Sequence, residues 1–188
     1  MTLRIGLISD THIPLHAKTL PPHIKEAFKN VELILHAGDI YIPSVLDELE
    51  KMAPVMAAKG NGDYDFPEDH RFQNRPIIDI GNVKIGLTHG INYPPHPEYP
   101  IDQWVLREFG SLMDVVIFGD THVAVVDTCD GILLVNPGSP TLPNGLFNLG
   151  TVGFLEITNK KVKAHIVELN RYDVPFQRDL IYYPGAGV

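Results

Sequence analysis

Seven side chains able to bind divalent cations stand directly after short apolar runs. Asp10 and His12 follow LRIGLI in SDTH, Asp39 follows VELILH in HAGD, and Asn61 follows APVMAAK in GNGD. His89 follows VKIGLT, and Asp120 with His122 follows DVVIF in GDTH. Carboxylate, amide and imidazole donors describe a hard-to-borderline metal site, and so many of them suit a pair of ions. Each residue alone has a plainer meaning. Asp is a common turn former, and Asn between glycines fits a left-handed turn. His36, inside its strand, reads as a core histidine satisfied by a backbone group. Repetition carries the metal reading: independent turn formers would not place Asp, His or Asn after five apolar runs, four of them with glycine adjacent or within two residues.

Strands that end together bring their last residues to one rim of a sheet, so the elements follow from the site. Strands are expected at 3–9, 31–36, 54–59, 83–89 and 114–119, and helices at 22–29, 42–52 and 101–110. In the second helix Val45, Leu46, Leu49 and Met52 share one face. Hairpins are expected for 75–80 with 83–89 around Gly81-Asn82, for 123–128 with 131–135 around Asp130-Gly131, and for 151–157 with 162–168. NYPPHPEYP at 92–100 holds four prolines and excludes regular structure. The stretch 136–150 reads as a Pro/Gly/Asn loop, and 170–188 lacks clear periodicity and reads as a loosely packed tail. Helix-linked strands come first and hairpin-linked strands later. This order predicts an α/β (α+β) domain in which two mixed sheets pack face to face with helices outside.

The 188 residues suit a single domain spanning 1–188. The net charge of −8 and the absence of a Lys/Arg run argue against long nucleic acid as a partner. Part of that acidity has a second meaning, because a site built for cations is incomplete without them. No apolar run approaches the ~20 residues of a membrane span. The N-terminal residues show no basic-apolar-small leader pattern. The lone Cys129, in the turn TCDG, excludes an internal disulfide and fits a reducing cytoplasm. Homo-oligomerisation stays open.

The ordered set D-x-H, G-D, G-N-x-D, H-G and G-x-x-H resembles the calcineurin-like metallophosphoesterase superfamily, and most closely its small single-domain phosphodiesterase branch. The resemblance runs from about residue 3 to 168 and implies a four-layer α/β/β/α sandwich. It implies a first ion held by Asp10, His12, Asp39 and His122. A second would be held by Asp39, Asn61, His89 and the residue at 120, with Asp39 bridging. It implies Asp39, Asn61 and His89 as the catalytic set, with Asn61 and His89 also touching substrate. A bridging water acidified by both ions would attack phosphorus in line with the leaving oxygen.

Two departures from the family pattern matter. Position 62 is glycine where many members carry a histidine near the leaving group, so His16, His70 and His96 become the candidate substitutes. Position 120 is aspartate where histidine is usual. Three carboxylates leave two divalent ions with a net charge of about +1 rather than +2, which favours a hard ion, Mn²⁺ before Ni²⁺, Fe²⁺, Zn²⁺ or Mg²⁺. The family-like NPGS loop, Asn136 to Ser139, reads as structural. Asn144 stands where a basic residue is frequent, which leaves a phosphate contact to Arg71 or Arg75. The proline-rich 92–100 segment either walls the site or simply connects strand to helix.

The expected substrate is a small phosphodiester, because no basic cluster greets a dianion and no evident acid protonates a poor leaving group. The rival reading is a protein-binding scaffold like the retromer subunit of this fold, with little or no catalysis. A nuclease is disfavoured by the charge.

Overall fold

Alternation along each strand sorts its side chains to two faces, and three apolar layers follow from that sorting. The computed structural model describes residues 2–64, 68–96, 98–142, 150–159, 161–169 and 180–185. In chain order the first elements are β1 (Leu3–Ile8), α1 (His23–Ala27), β2 (Leu33–His36), α2 (Ser44–Glu50), β3 (Val55–Ala58) and β4 (Phe72–Gln73). Next come β5 (Ile77–Ile80), β6 (Val83–Leu87), α3 (Ile101–Phe109), β7 (Val115–Ile117), β8 (Val125–Cys129) and β9 (Ile132–Asn136). The last are β10 (Thr151–Thr158), β11 (Lys161–Glu168) and β12 (Leu180–Tyr182).

One sheet has the order β12-β11-β10-β1-β2-β3-β4 and the other β5-β6-β7-β9-β8. Both are mixed. Strands β1 to β4 run parallel to one another, as do β6, β7 and β9, while β1 pairs antiparallel with β10, β11 with β12, and the hairpin partners likewise. Ile5 and Leu7 of β1 meet Ile85, Leu87, Val115 and Ile117 in the layer between the sheets. On the outer face of the larger sheet, Ile34, Val152 and Phe154 pack under Ile24 of α1 and Val45, Leu46 and Leu49 of α2. Val116, Phe118 and Leu134 pack under Ile101 and Val105 of α3 on the other side. Burial on this scale stabilises each large aliphatic side chain by about 1.5–3 kcal/mol. The result is the four-layer α/β/β/α sandwich that the resemblance implies.

Two strands differ from expectation. β4 is only two residues long and lies in a segment with no strand signal. β12 falls inside the stretch expected to be a loose tail, and it pairs with β11 through Val162↔Tyr182 and Ala164↔Leu180. Residues 170–179 and 186–188 of that stretch lie outside the described residues, as does Asn144.

Candidate metal centre

The loops after β1, β2, β3, β6 and β7 meet on one rim. Asp10 is fully buried and His12, Asp39 and His89 nearly so. His12 Nε2 stands 3.7 Å from Asp10 Oδ1 and 3.5 Å from Asp39 Oδ2. His89 Nε2 stands 3.5 Å from Asp39 Oδ1, 4.0 Å from Asp10 Oδ1 and 3.6 Å from Asp120 Oδ1. His122 Nε2 lies 3.5 Å from Asp10 Oδ1. Asn61 lines a cavity of about 420 Å³ together with His89 and Asp120. All seven expected donors are therefore gathered at one rim.

Their backbones are under strain. Asp10, His12, Asp39, Asp120 and His122 have φ of 53°, 46°, 57°, 67° and 57°. The left-handed region costs an L-residue about 1–2 kcal/mol. Surrounding hydrogen bonds impose it. Asp10 N–H donates to Gly38 C=O at 2.9 Å and His12 N–H to Asp39 C=O at 3.0 Å. Asp120 N–H donates to the Asp10 carboxylate at 3.2 Å.

A further set of residues holds these loops, and the motif spacing alone did not single them out as site residues. The Asp63 carboxylate accepts N–H bonds from Asp39, Ile40, Tyr41 and Gly60 at 2.7–2.9 Å, which fixes the loop that presents Asp39. Its place in G-N-x-D was the available signal. The NPGS loop has the structural role expected of it. Ser139 Oγ–H donates to Asp10 C=O at 2.7 Å, and Asn136 Nδ2–H to Gly119 C=O at 2.7 Å. His36 accepts from Gly38 N–H at Nδ1 (3.2 Å), which leaves Nε2–H to donate to Thr11 Oγ1 at 3.1 Å. Burial pushes the His36 imidazole down to about 3, so it remains neutral. It is the satisfied core histidine expected, and it also ties the Asp10–His12 loop to the Asp39 loop.

Other candidates sort clearly. The His16 ring meets the His12 ring edge-on at 5.4 Å, so His16 stands at the rim. His70 C=O accepts from Gln73, and His96 packs against Tyr99. Arg71 is corrected as a phosphate contact. It is buried and donates to Asp69, Asp47 and Glu50 at 2.6–2.8 Å, which ties the start of β4 to α2. Hydrogen bonding to Asp69, with help from Asp47, holds that guanidinium above its ordinary range. Arg75 does line the cavity, beside Lys59 and Asn74.

Gly62 has a local reason. A Cβ there would lie 2.1 Å from Tyr41 Cε1 and 2.7 Å from its hydroxyl. The Tyr41 ring, 4.9 Å from that of His12, fills the space a side chain at 62 would need.

The donor set fits divalent ions. Imidazole–carboxylate separations of 3.5–4.0 Å are too long for hydrogen bonds. Two ligands each about 2.1 Å from one ion lie about 3–4 Å apart. Both ring nitrogens of His12 and His89 Nε2 are buried without partners. His89 Nδ1–H donates to Ala37 C=O at 2.8 Å, which aims the Nε2 lone pair at the carboxylates. Asp10, His12 and His122 form one donor group and Asp10, Asp39 and His89 another, with the atoms of each within 4.8 Å of one another.

Such a rim of oxygen and imidazole donors, at the carboxyl ends of parallel strands in a four-layer sandwich, defines a metal-binding α/β/β/α protein. The family model for the calcineurin-like phosphoesterase superfamily domain matches residues 3–160, and the chain belongs to that family. It is 43% identical over 145 residues to a probable metallophosphoesterase of Methanocaldococcus jannaschii, covering 76% of this chain and 70% of the relative. A phosphodiesterase of the same organism is 29% identical over 182 residues, covering 88% of this chain and 100% of the relative. Vacuolar protein sorting 29 from Cryptosporidium parvum shares the fold, with a TM-score of 0.77, 24% identity, and coverage of 97% of this chain and 98% of that one. Among the described residues no helix is long and apolar enough to cross a membrane.

Proposed function

We propose that this phosphoesterase hydrolyses small phosphodiesters at a dinuclear centre, with Mn²⁺ the favoured metal. The observation that carries the reading is Asp39. Its two oxygens diverge, Oδ2 toward His12 and Oδ1 toward His89, each at 3.5 Å. A carboxylate so placed serves two ions at once. Asp10, His12 and His122 complete one position, and Asn61, His89 and Asp120 the other. When bound, the ions supply Lewis acidity toward phosphoryl oxygens and a lowered pKa for water. The protein's part is to hold the donors in strained, preset positions and to seat the ester in the cavity beside Asn61, His89 and Arg75.

A protein-binding scaffold is the alternative, supported by the likeness of fold to vacuolar protein sorting 29. The complete donor set weighs against it, because a scaffold has no chemical need of unpartnered buried imidazoles. Asp39→Asn separates the two. Bound manganese and hydrolysis of bis(4-nitrophenyl) phosphate should both fall, the latter by about a hundredfold or more. Full retention of hydrolysis in that variant would overturn the dinuclear reading.

A further inference from the structure

The cavity of about 420 Å³ that opens beside the second metal position has a second wall of different chemistry. Asn61, His89 and Asp120 form its metal side, while Lys59, Asn74 and Arg75 form the other. Lys59 and Arg75 are sixteen positions apart, and strand pairing brings them together. β3 and β4 run parallel with Ala58 opposite Gln73, and Lys59 N–H extends the ladder by donating to Gln73 C=O at 2.8 Å. The chain then leaves both strands on the same side of the rim, so Lys59 comes to stand beside Asn74 and Arg75. In a molecule of net charge −8, Lys59 and Arg75 line one hollow beside Asn74 and across from Asp120, which places two cations next to the acidic rim.

Arg75 meets Glu108 at 3.2 Å. That pair is partly solvent-exposed, where ion pairs hold weakly. A guanidinium has five N–H donors, so Arg75 can keep Glu108 and still offer donors to the cavity.

We infer that Lys59, Asn74 and Arg75 form an anion subsite that selects phosphodiesters bearing a second anionic group, such as a further phosphate, near the scissile one. The inference rests on the phosphodiesterase reading and narrows it. The scissile phosphate lies against the metal donors, and the second anion crosses the cavity to the Lys59–Arg75 wall. Amide and guanidinium donors suit phosphate oxygens, and Arg binds them through paired hydrogen bonds.

A matched pair of esters tests this on the manganese-loaded protein. Thymidine 5′-(4-nitrophenyl phosphate) and its 3′-phosphorylated counterpart share a leaving group and differ by one phosphate. The second should be favoured in kcat/KM by about tenfold, as one charge-assisted contact warrants. Arg75→Gln and Lys59→Gln should collapse the ratio toward one, and Glu108→Gln should raise it. Calorimetry gives a readout independent of turnover. Thymidine 3′,5′-bisphosphate should bind about tenfold more tightly than thymidine 5′-phosphate, and Arg75→Gln should erase the difference. Equal hydrolysis of both esters, or a preference that survives both substitutions in folded, metal-replete protein, overturns the subsite and leaves the phosphodiesterase reading standing. Hydrolysis of neither ester overturns both.

Discussion

Asp120 and His36 show how much of this site is decided by single atoms. The seven candidate donors are legible in the sequence because each is a distinctive residue type after an apolar run. Their supporting bonds are not, because a hydrogen bond such as Ser139 to Asp10 joins positions 129 apart. Asp120 Oδ1 lies 3.6 Å from His89 Nε2, so in the proposed dinuclear centre the third carboxylate would face the second ion. There it would lower the net charge of the centre, and a less positive centre acidifies water less. Asp120→His should therefore move the rising limb of the pH–rate profile to lower pH and weaken the preference for Mn²⁺ over softer ions. An unchanged profile and metal order would remove Asp120 from the centre. His36 makes a different prediction. His36→Asn keeps an acceptor near Gly38 but loses the donor to Thr11, so manganese affinity should fall about 10–100-fold, measured by calorimetry. The same substitution has a pH signature. The folded pKa of about 3 lies below the ordinary 6.5, so native His36 stays neutral while the unfolded chain takes up a proton. Its contribution is complete above pH 6.5 and is lost as pH falls toward 3. The loss is about 1.4 kcal/mol per pH unit. Metal-free His36→Asn should lack that slope in denaturant titrations between those limits.

At the scale of elements, legibility followed length and local chemistry. Gly81 and Gly131 take φ of 60° and 73° in the turns where Gly81-Asn82 and Asp130-Gly131 predict hairpins, and β5–β6 and β8–β9 pair there. Strand β1 has a continuous apolar run because the sandwich buries both its faces. β4 was invisible because two residues carry no period, and its existence depends on the neighbouring edge of β3. β12 was missed for the same reason, since only β11 gives it a partner. Yet β4 carries Asn74 and Arg75 to the cavity, so the least legible strand builds the basic wall. Contacts between loops were equally hidden. Tyr41, after β2, occupies the space beside Gly62, after β3, and this explains a glycine that the sequence could only mark as a departure. Gly62→His should overpack that contact and destabilise the protein by about 1–3 kcal/mol. Combining it with Tyr41→Ala should recover most of the loss. A double-mutant cycle by chemical denaturation measures the coupling. Strict additivity would mean that the two loops do not compete for this space.

The whole molecule is a balance between a conventional core and a rim that is unstable by itself. Three apolar layers fix the strands, and the strands then force five left-handed, chemically reactive residues together at their ends. Asp10 is fully buried, and Asp39 nearly so, among imidazoles at distances too long for hydrogen bonds. Such a rim costs folding free energy unless cations neutralise it, because buried charge without compensation is expensive. Ions held at the proposed centre would cancel part of the overall −8. Metal binding should couple to global stability. An ion that binds only the native chain, at a free concentration of 100 Kd, adds about 2.7 kcal/mol. In a domain of this size that corresponds to a rise in Tm of about 5–10 °C. Differential scanning calorimetry of chelated protein with and without added MnCl₂ measures the shift. Asp39→Asn should lose most of it, because the carboxylate that faces both positions is replaced by an amide. A Tm insensitive to manganese in the wild type would mean that the rim does not hold an ion under those conditions. That result would separate the strained loops from the metal chemistry proposed for them.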